Sequence, residues 1–316
     1  MRNKKRGLSK GFMVDLKEGG LLYPVLERVK KDSTLCFEIR SNNVNIYYRG
    51  GNIMRIIESK GYAAAFNEKY CSGAILKVIK ALPIMLVDSK DVQKWVKEIP
   101  SLKQAMDFWF CRKPKDEREF QQIVLRENNG TTVGSSTDYF IIDIEYDNHC
   151  GARFDLVAVE WESIGNIRKL PKNYKPKLCF IEVKYGDGAL SGKAGMEKHI
   201  EDFSKYMKKG GLSTLKNEMK LIFSQKRELG LIPALKRNKN QVESFSQEVD
   251  YIFLLANHDP ASNKLQNILR DLPEKYKSKD LGFGVKFCSS NFMGYGIYKQ
   301  NVYSIADFIQ RFKEQI

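Results

Sequence analysis

Two apolar, β-branched segments carry ionisable residues where core strands are expected to be apolar. One is Arg153-Phe154-Asp155-Leu156-Val157-Ala158-Val159. The other is Leu178-Cys179-Phe180-Ile181-Glu182-Val183-Lys184-Tyr185. Isolated buried charge is costly, so charges in such strands need a partner or a metal. Strand alternation puts Glu182 and Lys184 on one face, with Leu178 and Phe180. If the two strands are neighbours, Asp155 and Glu182 can meet at one point. Two carboxylates could hold a divalent cation, which prefers oxygen ligands. A lysine beside them could position or deprotonate a water, or stabilise charge on a phosphate. That is the chemistry of metal-assisted hydrolysis. The plainer alternative is two surface strands with an ordinary Glu–Lys pair.

At Asp155 and Glu182-Val183-Lys184 the chain resembles the PD-(D/E)XK nuclease superfamily, over roughly its C-terminal two thirds. Phe154 stands where the motif has proline. The resemblance implies a restriction-endonuclease-like fold, a central mixed β-sheet flanked by helices. It implies a metal held by Asp155, Glu182 and the Val183 carbonyl. The cation would be Mg²⁺, with Mn²⁺ able to substitute. Lys184 would orient water or stabilise the transition state, and the substrate would be nucleic acid, DNA favoured over RNA. Many members work as oligomers, which makes a homo-oligomer compatible with the resemblance. In this superfamily the first helix often adds a Glu to the site, and Glu117 and Glu119 are both candidates. Spacing does not choose between them, and Glu119 is taken here. Acids in a first helical turn are equally explained by the helix dipole. The RecB-like branch carries Gln-x-x-x-Tyr on its following helix. Here that segment reads His199-Ile200-Glu201-Asp202-Phe203, so the branch does not carry over.

These residues need a scaffold, and 316 residues are enough for two ordinary domains. Lys and Arg number 53 against 38 Asp and Glu, a net charge of +15. That excess suits a polyanion such as nucleic acid, or simply a basic surface. The six cysteines include no CxxC pair, so neither a disulfide framework nor a zinc site is expected. Reduced thiols fit a cytoplasmic protein. No 18-residue apolar span and no signal-peptide pattern is present, so neither a membrane span nor secretion is expected.

The N-terminal part, residues 1–112, is expected to be a small α+β domain. A helix near Leu21–Lys30 precedes an antiparallel meander of about four strands. Its turns are marked by Asn42-Asn43, Gly50-Gly51 and Lys60-Gly61. A helical pattern follows from Ala74 to Phe110, with a break expected at Pro100-Ser101. Tyr47-Tyr48-Arg49-Gly50-Gly51 could stack bases and grip phosphate; turn chemistry explains it better. The basic Arg112-Lys113-Pro114-Lys115 segment marks the boundary to a nuclease-like domain, residues 113–316.

In that domain a helix from Asp116 to about Glu127 leads to a strand from Tyr139 to Tyr146. Asp143 and Glu145 are expected on its solvated face. Between the motif strands, Arg168, Lys169, Lys172, Lys175 and Lys177 suggest a phosphate-tracking loop close to the cleavage site. Lys193 adds a further basic contact in a glycine-rich rim. That rim is no P-loop: no glycine stands five residues before Gly192, and Ala194 follows Lys193. A helix over Met196–Met207, strands at Lys220–Phe223 and Val249–Leu255, and an intervening helix near Ser224–Lys236 complete a three-layer pattern. Edge strands are expected at Lys286-Phe287 and Tyr295–Tyr298, and a closing helix at Ile305–Phe312. Two other functions fit the same charge: a nucleic-acid-binding module that does not cut, and a structural or assembly protein.

Overall fold

The computed structural model describes residues 6–71, 75–130, 137–147, 153–192, 195–232, 241–257, 263–276, 281–290, 297, 299 and 302–313. The chain divides into two compact units, Met1–Arg126 with Ser224–Ile232, and Glu127–Phe223 with Pro233–Ile316. The division thus falls after Arg126, not after residue 112, and a distant segment rejoins the first unit.

The first unit holds helices α1 (Lys10–Asp15) and α2 (Tyr23–Lys31), then strands β1 (Leu35–Ile39), β2 (Asn43–Tyr48), β3 (Gly51–Glu58) and β4 (Tyr62–Ala65). Helix α3 (Ile75–Lys80) and the two-residue strand β5 (Met85–Leu86) follow. The sheet runs β1-β2-β3-β4-β5, antiparallel throughout. It is the expected meander with one added strand. Arg49 and Gly50 both have positive φ, 48° and 70°, in the β2–β3 turn. That conformation matches the twist of a tight hairpin. A Cβ at Gly50 would stand 2.4 Å from the Arg118 main chain, so glycine is also required by space.

Helix α4 (Ser89–Arg112) is capped by Asp88, whose carboxylate accepts the Asp91 N–H at 3.0 Å. It continues through Pro100, where the sequence predicts a break. An interior proline costs about 3 kcal/mol. Buried Val92, Trp95 and Ile99 before it, and Leu102, Met106 and Phe110 after it, outweigh that cost. Helix α5 (Asp116–Asn129) starts in the first unit and ends in the second. The returning segment is knitted in at two points. Gln225 accepts the Leu8 N–H at 3.0 Å and donates to the Leu8 carbonyl at 2.8 Å. Lys226 Nζ meets Glu38 Oε1 at 2.8 Å, both side chains almost fully buried.

The second unit is built on strands β6 (Tyr139–Asp147), β7 (Arg153–Glu160), β8 (Lys177–Tyr185), β9 (Val249–Ala256), β10 (Gly284–Ser290) and β11 (Tyr303–Ser304). The sheet order is β11-β10-β9-β8-β7-β6. β6, β7 and β8 pair antiparallel, β8, β9 and β10 pair parallel, and β11 is antiparallel to β10. The chain is therefore mixed α/β, with an antiparallel sheet followed by a mixed one. Lys286 and Phe287 lie on β10, which is flanked on both sides and is not an edge. Tyr295 and Tyr298 lie outside the described residues.

A short helix α6 (Gly165–Arg168) lies in the β7–β8 connection, and helices α7 (Met196–Lys208) and α8 (Gly211–Glu228) link β8 to β9. Lys220–Phe223, expected as a strand, lies within α8. Leu215, Met219, Ile222 and Phe223 are all buried, and their offsets of four, seven and eight form one helical stripe. Short apolar runs alone do not reveal that period. The helix expected to follow is the end of α8, and residues 233–236 lie outside the described residues. Helix α9 (Asn263–Lys275) joins β9 to β10, and a helix over Ile305–Lys313 closes the chain. Among the described residues, no helix is long and apolar enough to cross a membrane.

Candidate active site

β7 and β8 form an antiparallel pair from Glu160↔Lys177 to Leu156↔Ile181. One step beyond the last pair stand Asp155 and Glu182. The ladder stops there, because the alternation of β7 is interrupted. Val157 lies opposite Phe180, and Phe154, three residues earlier, also packs on Phe180 at 4.8 Å and on Phe203 at 5.6 Å. Residues three apart on a regular strand would face opposite ways. Asp155 occupies the interruption, and its Oδ2 accepts the Val183 N–H at 2.9 Å. The side chain thus replaces a ladder carbonyl. The N–H and C=O of one strand residue point to the same neighbour, so the Val183 carbonyl is also directed toward the β7 side.

Glu182 and Lys184 follow Phe180 on the face covered by α7. Both are buried, at 6% and 3% exposure. Lys184 Nζ donates to Glu182 Oε1 at 2.9 Å. Two side chains absent from the sequence expectation complete the cluster. His199, on α7, places Nε2 3.1 Å from the same Oε1. Tyr251, on β9 opposite Phe180, donates its hydroxyl to Glu182 Oε2 at 3.3 Å. Burial, then the charges of Glu182 and Asp155, push the Tyr251 phenol well above its ordinary value, so it stays a donor. Phe203 fixes α7 over the strands, with ring centroids 4.7 Å from Phe180, 4.8 Å from Tyr251 and 4.6 Å from Phe283. His199 precedes Phe203 by four residues, on the same side of the helix. A lone histidine beside the inner stripe of the helix after the motif was the available signal. Tyr251, 69 residues from Glu182, had none.

The other expected members have surroundings of their own. Glu119 belongs to the first unit, where Arg49 grips it with Nε at 2.8 Å and Nη2 at 3.0 Å. Arg49 also meets Asp107 at 2.8 Å, which occupies the guanidinium considered for phosphate. This ion network accounts for Glu119. Glu117, in the same turn, is exposed. Asp143 is fully buried rather than solvated. A bulge between Ile141 and Asp143 shifts the register, so Asp143 faces Val157 while Ile141 faces Ala158.

The basic loop is not close to Asp155 and Glu182. It leaves the sheet at Glu160 and re-enters at Lys177, the far end of both strands. Five residues of strand separate the two ends, about 17 Å. Arg168 lies over the Trp161 ring, 4.7 Å from its centroid, and donates to the Thr137 carbonyl. Burial pulls its guanidinium below the ordinary value. It is a packing residue, whereas Lys169, Lys172 and Lys175 are exposed. Lys193 lies outside the described residues.

The donor set expected to hold a cation is all oxygen, two carboxylates and a main-chain carbonyl, which suits Mg²⁺. Glu182 Oε2 carries one donor and retains acceptor capacity. The residues therefore fit the ion. A second group of metal-ligand type sits at the far end of the sheet, where ligand atoms of Glu160, Cys179 and Asp250 lie within 4.8 Å of one another. Asp250 is already paired with Lys286 at 2.9 Å and Lys177 at 3.1 Å. Burial, then Asp250, holds the Cys179 thiol well above its ordinary value, which disfavours the thiolate a metal needs. That group reads as a neutralised charge network.

The chain matches no protein-family model, no curated protein and no solved structure.

Proposed function

We propose that the second unit is a Mg²⁺-dependent nuclease of PD-(D/E)XK type, hydrolysing phosphodiester bonds, with DNA favoured over RNA. The observations that support this reading are the Asp155 carboxylate on the Val183 N–H, one residue along β8 from Glu182, and Lys184 on the Glu182 carboxylate. Asp155, Glu182 and the Val183 carbonyl would bind the cation. Bound there, a divalent cation supplies Lewis acidity to the phosphate and lowers the pKa of water. Lys184 directs the attacking water and neutralises charge on the phosphate oxygens. The net charge of +15 favours a polyanionic substrate. Five free cysteines among the described residues fit a cytoplasmic setting.

One observation favours a second reading. The Lys184–Glu182 pair is nearly inaccessible, with side-chain exposures of 3% and 8%. An inert ion pair inside a nucleic-acid-binding module would look the same. Incubation with labelled single- and double-stranded DNA and RNA, in Mg²⁺, Mn²⁺ or EDTA, separates the two. The nuclease reading expects cleavage that EDTA abolishes. Binding without cleavage in any metal favours the module.

A further inference from the structure

Lys184 and His199 converge on one oxygen, Glu182 Oε1, at 2.9 and 3.1 Å. They arrive from different elements, Lys184 from β8 and His199 from α7. The nuclease reading, on which this inference rests, gives the Lys184 amine a second task. It must act on water or phosphate, and an amine only 3% exposed must turn outward from Glu182 to reach a substrate. Yet a buried carboxylate oxygen left without a donor is strongly disfavoured. Something must take over Oε1 when the amine turns away.

We propose that His199 is a positioning residue that holds Glu182 Oε1 while Lys184 turns to the substrate. Three features support the assignment. First, the imidazole does not move with the lysine, because α7 is anchored separately by Phe203 against Phe180, Tyr251 and Phe283. Second, Tyr251 already serves Oε2 at 3.3 Å. With Lys184 gone, the carboxylate would keep one donor on each oxygen, His199 on Oε1 and Tyr251 on Oε2. Its orientation between α7 and β9 would then be retained. Third, the His199 side chain is 27% exposed against 3% for Lys184, so it stands where the cluster opens to solvent. Nε2–H donates in the Nε2-protonated neutral tautomer and in the imidazolium.

The arrangement divides what Lys184 provides at Glu182. An incoming cation replaces its charge, and His199 replaces its hydrogen bond. Loss of His199 should therefore slow turnover without weakening metal or substrate binding.

The test uses the full chain as wild type, His199→Ala, His199→Gln and His199→Asn. Calorimetric Mn²⁺ titration, kcat and KM on a labelled DNA, and Tm are measured for each. The expected result for His199→Ala is unchanged Mn²⁺ affinity and KM, with kcat lower by about ten- to a hundredfold, the equivalent of one lost hydrogen bond to a charged group. Gln, whose Nε2 matches the reach of the histidine Nε2, should restore kcat; Asn is one methylene short and should not. Wild-type kcat in the Ala variant overturns the proposal and leaves the nuclease reading intact. Parallel loss of Mn²⁺ affinity and kcat, unrescued by Gln, also overturns it, since His199 would then be a ligand or a fold determinant. If the Ala variant does not fold, equal kcat in the Gln and Asn variants overturns it. A wild type that neither binds Mn²⁺ nor cuts removes the nuclease reading, and this proposal with it.

Discussion

The Asp155 carboxylate accepts the backbone N–H of Val183 at 2.9 Å, in the gap where the β7–β8 ladder ends. One side chain therefore has two separable tasks, closing a main-chain hydrogen bond and contributing charge to a proposed cation site. Asp155→Asn keeps an oxygen for Val183 but loses the charge. It should unfold in urea at the wild-type midpoint and bind Mn²⁺ much more weakly. Asp155→Ala should lose the metal and also about 1 kcal/mol of stability. Wild-type Mn²⁺ affinity in the Asn variant would remove Asp155 from the ligand set.

Glu182 and Lys184 should separate metal binding from turnover. Glu182→Ala removes a proposed ligand, so metal affinity and cleavage should fall together. Lys184→Ala removes a positive charge from beside Glu182, so Mn²⁺ affinity should hold or rise. Its single-turnover cleavage should still collapse, by about a hundredfold or more, because charge stabilisation at the phosphate is lost. Calorimetry and single-turnover kinetics on both variants check this. Wild-type cleavage by Lys184→Ala would make the lysine a structural partner only.

The exposed lysines at 169, 172 and 175 stand at the far end of the strands from Glu182. Charge reversal at all three should flatten the plot of log K against log[salt], by about 0.7–0.9 for each phosphate that a lysine no longer neutralises. At saturating substrate, kcat should be unchanged. An unaltered slope would take the loop out of the nucleic-acid footprint.

Lys226 and Glu38 form a buried pair. Lys226→Ala should cost about 3–5 kcal/mol, because it leaves a carboxylate in the core without its lysine. Replacement by Met, similar in volume and uncharged, tests whether packing or charge dominates. Urea unfolding measures both. A loss within about 0.5 kcal/mol, the range of an ordinary surface substitution, would show that water already reaches Glu38.

The motif strands were legible because both are short apolar runs with β-branched residues, Val157 and Val159 in one and Ile181 and Val183 in the other. The meander was legible from its turn residues. Pro100 misled because local propensity ignores the buried stripe on either side of it. Lys220–Phe223 misled because four apolar-rich residues suit either period. Asp143 was misplaced because Tyr139, Phe140, Ile141 and Ile142 are all buried, so this part of β6 has no solvated face for alternation to mark. The cluster around Glu182 was half legible. Lys184 is two residues away, while Tyr251 arrives through a parallel pairing that only the tertiary fold defines.

Ser224–Ile232 completes the first unit, yet it is synthesised long after Arg126. At ribosomal rates of about 5–20 residues per second, the intervening chain takes roughly 5–20 s to emerge. Throughout that interval Glu38 awaits Lys226 and Leu8 awaits Gln225. Much of the second unit, including Asp155, Glu182 and His199, leaves the exit tunnel before the first unit can close. The two units are therefore nested in time. A nascent chain cannot finish one before beginning the other, and a gene cut between them would yield a first half that lacks the segment closing its own core.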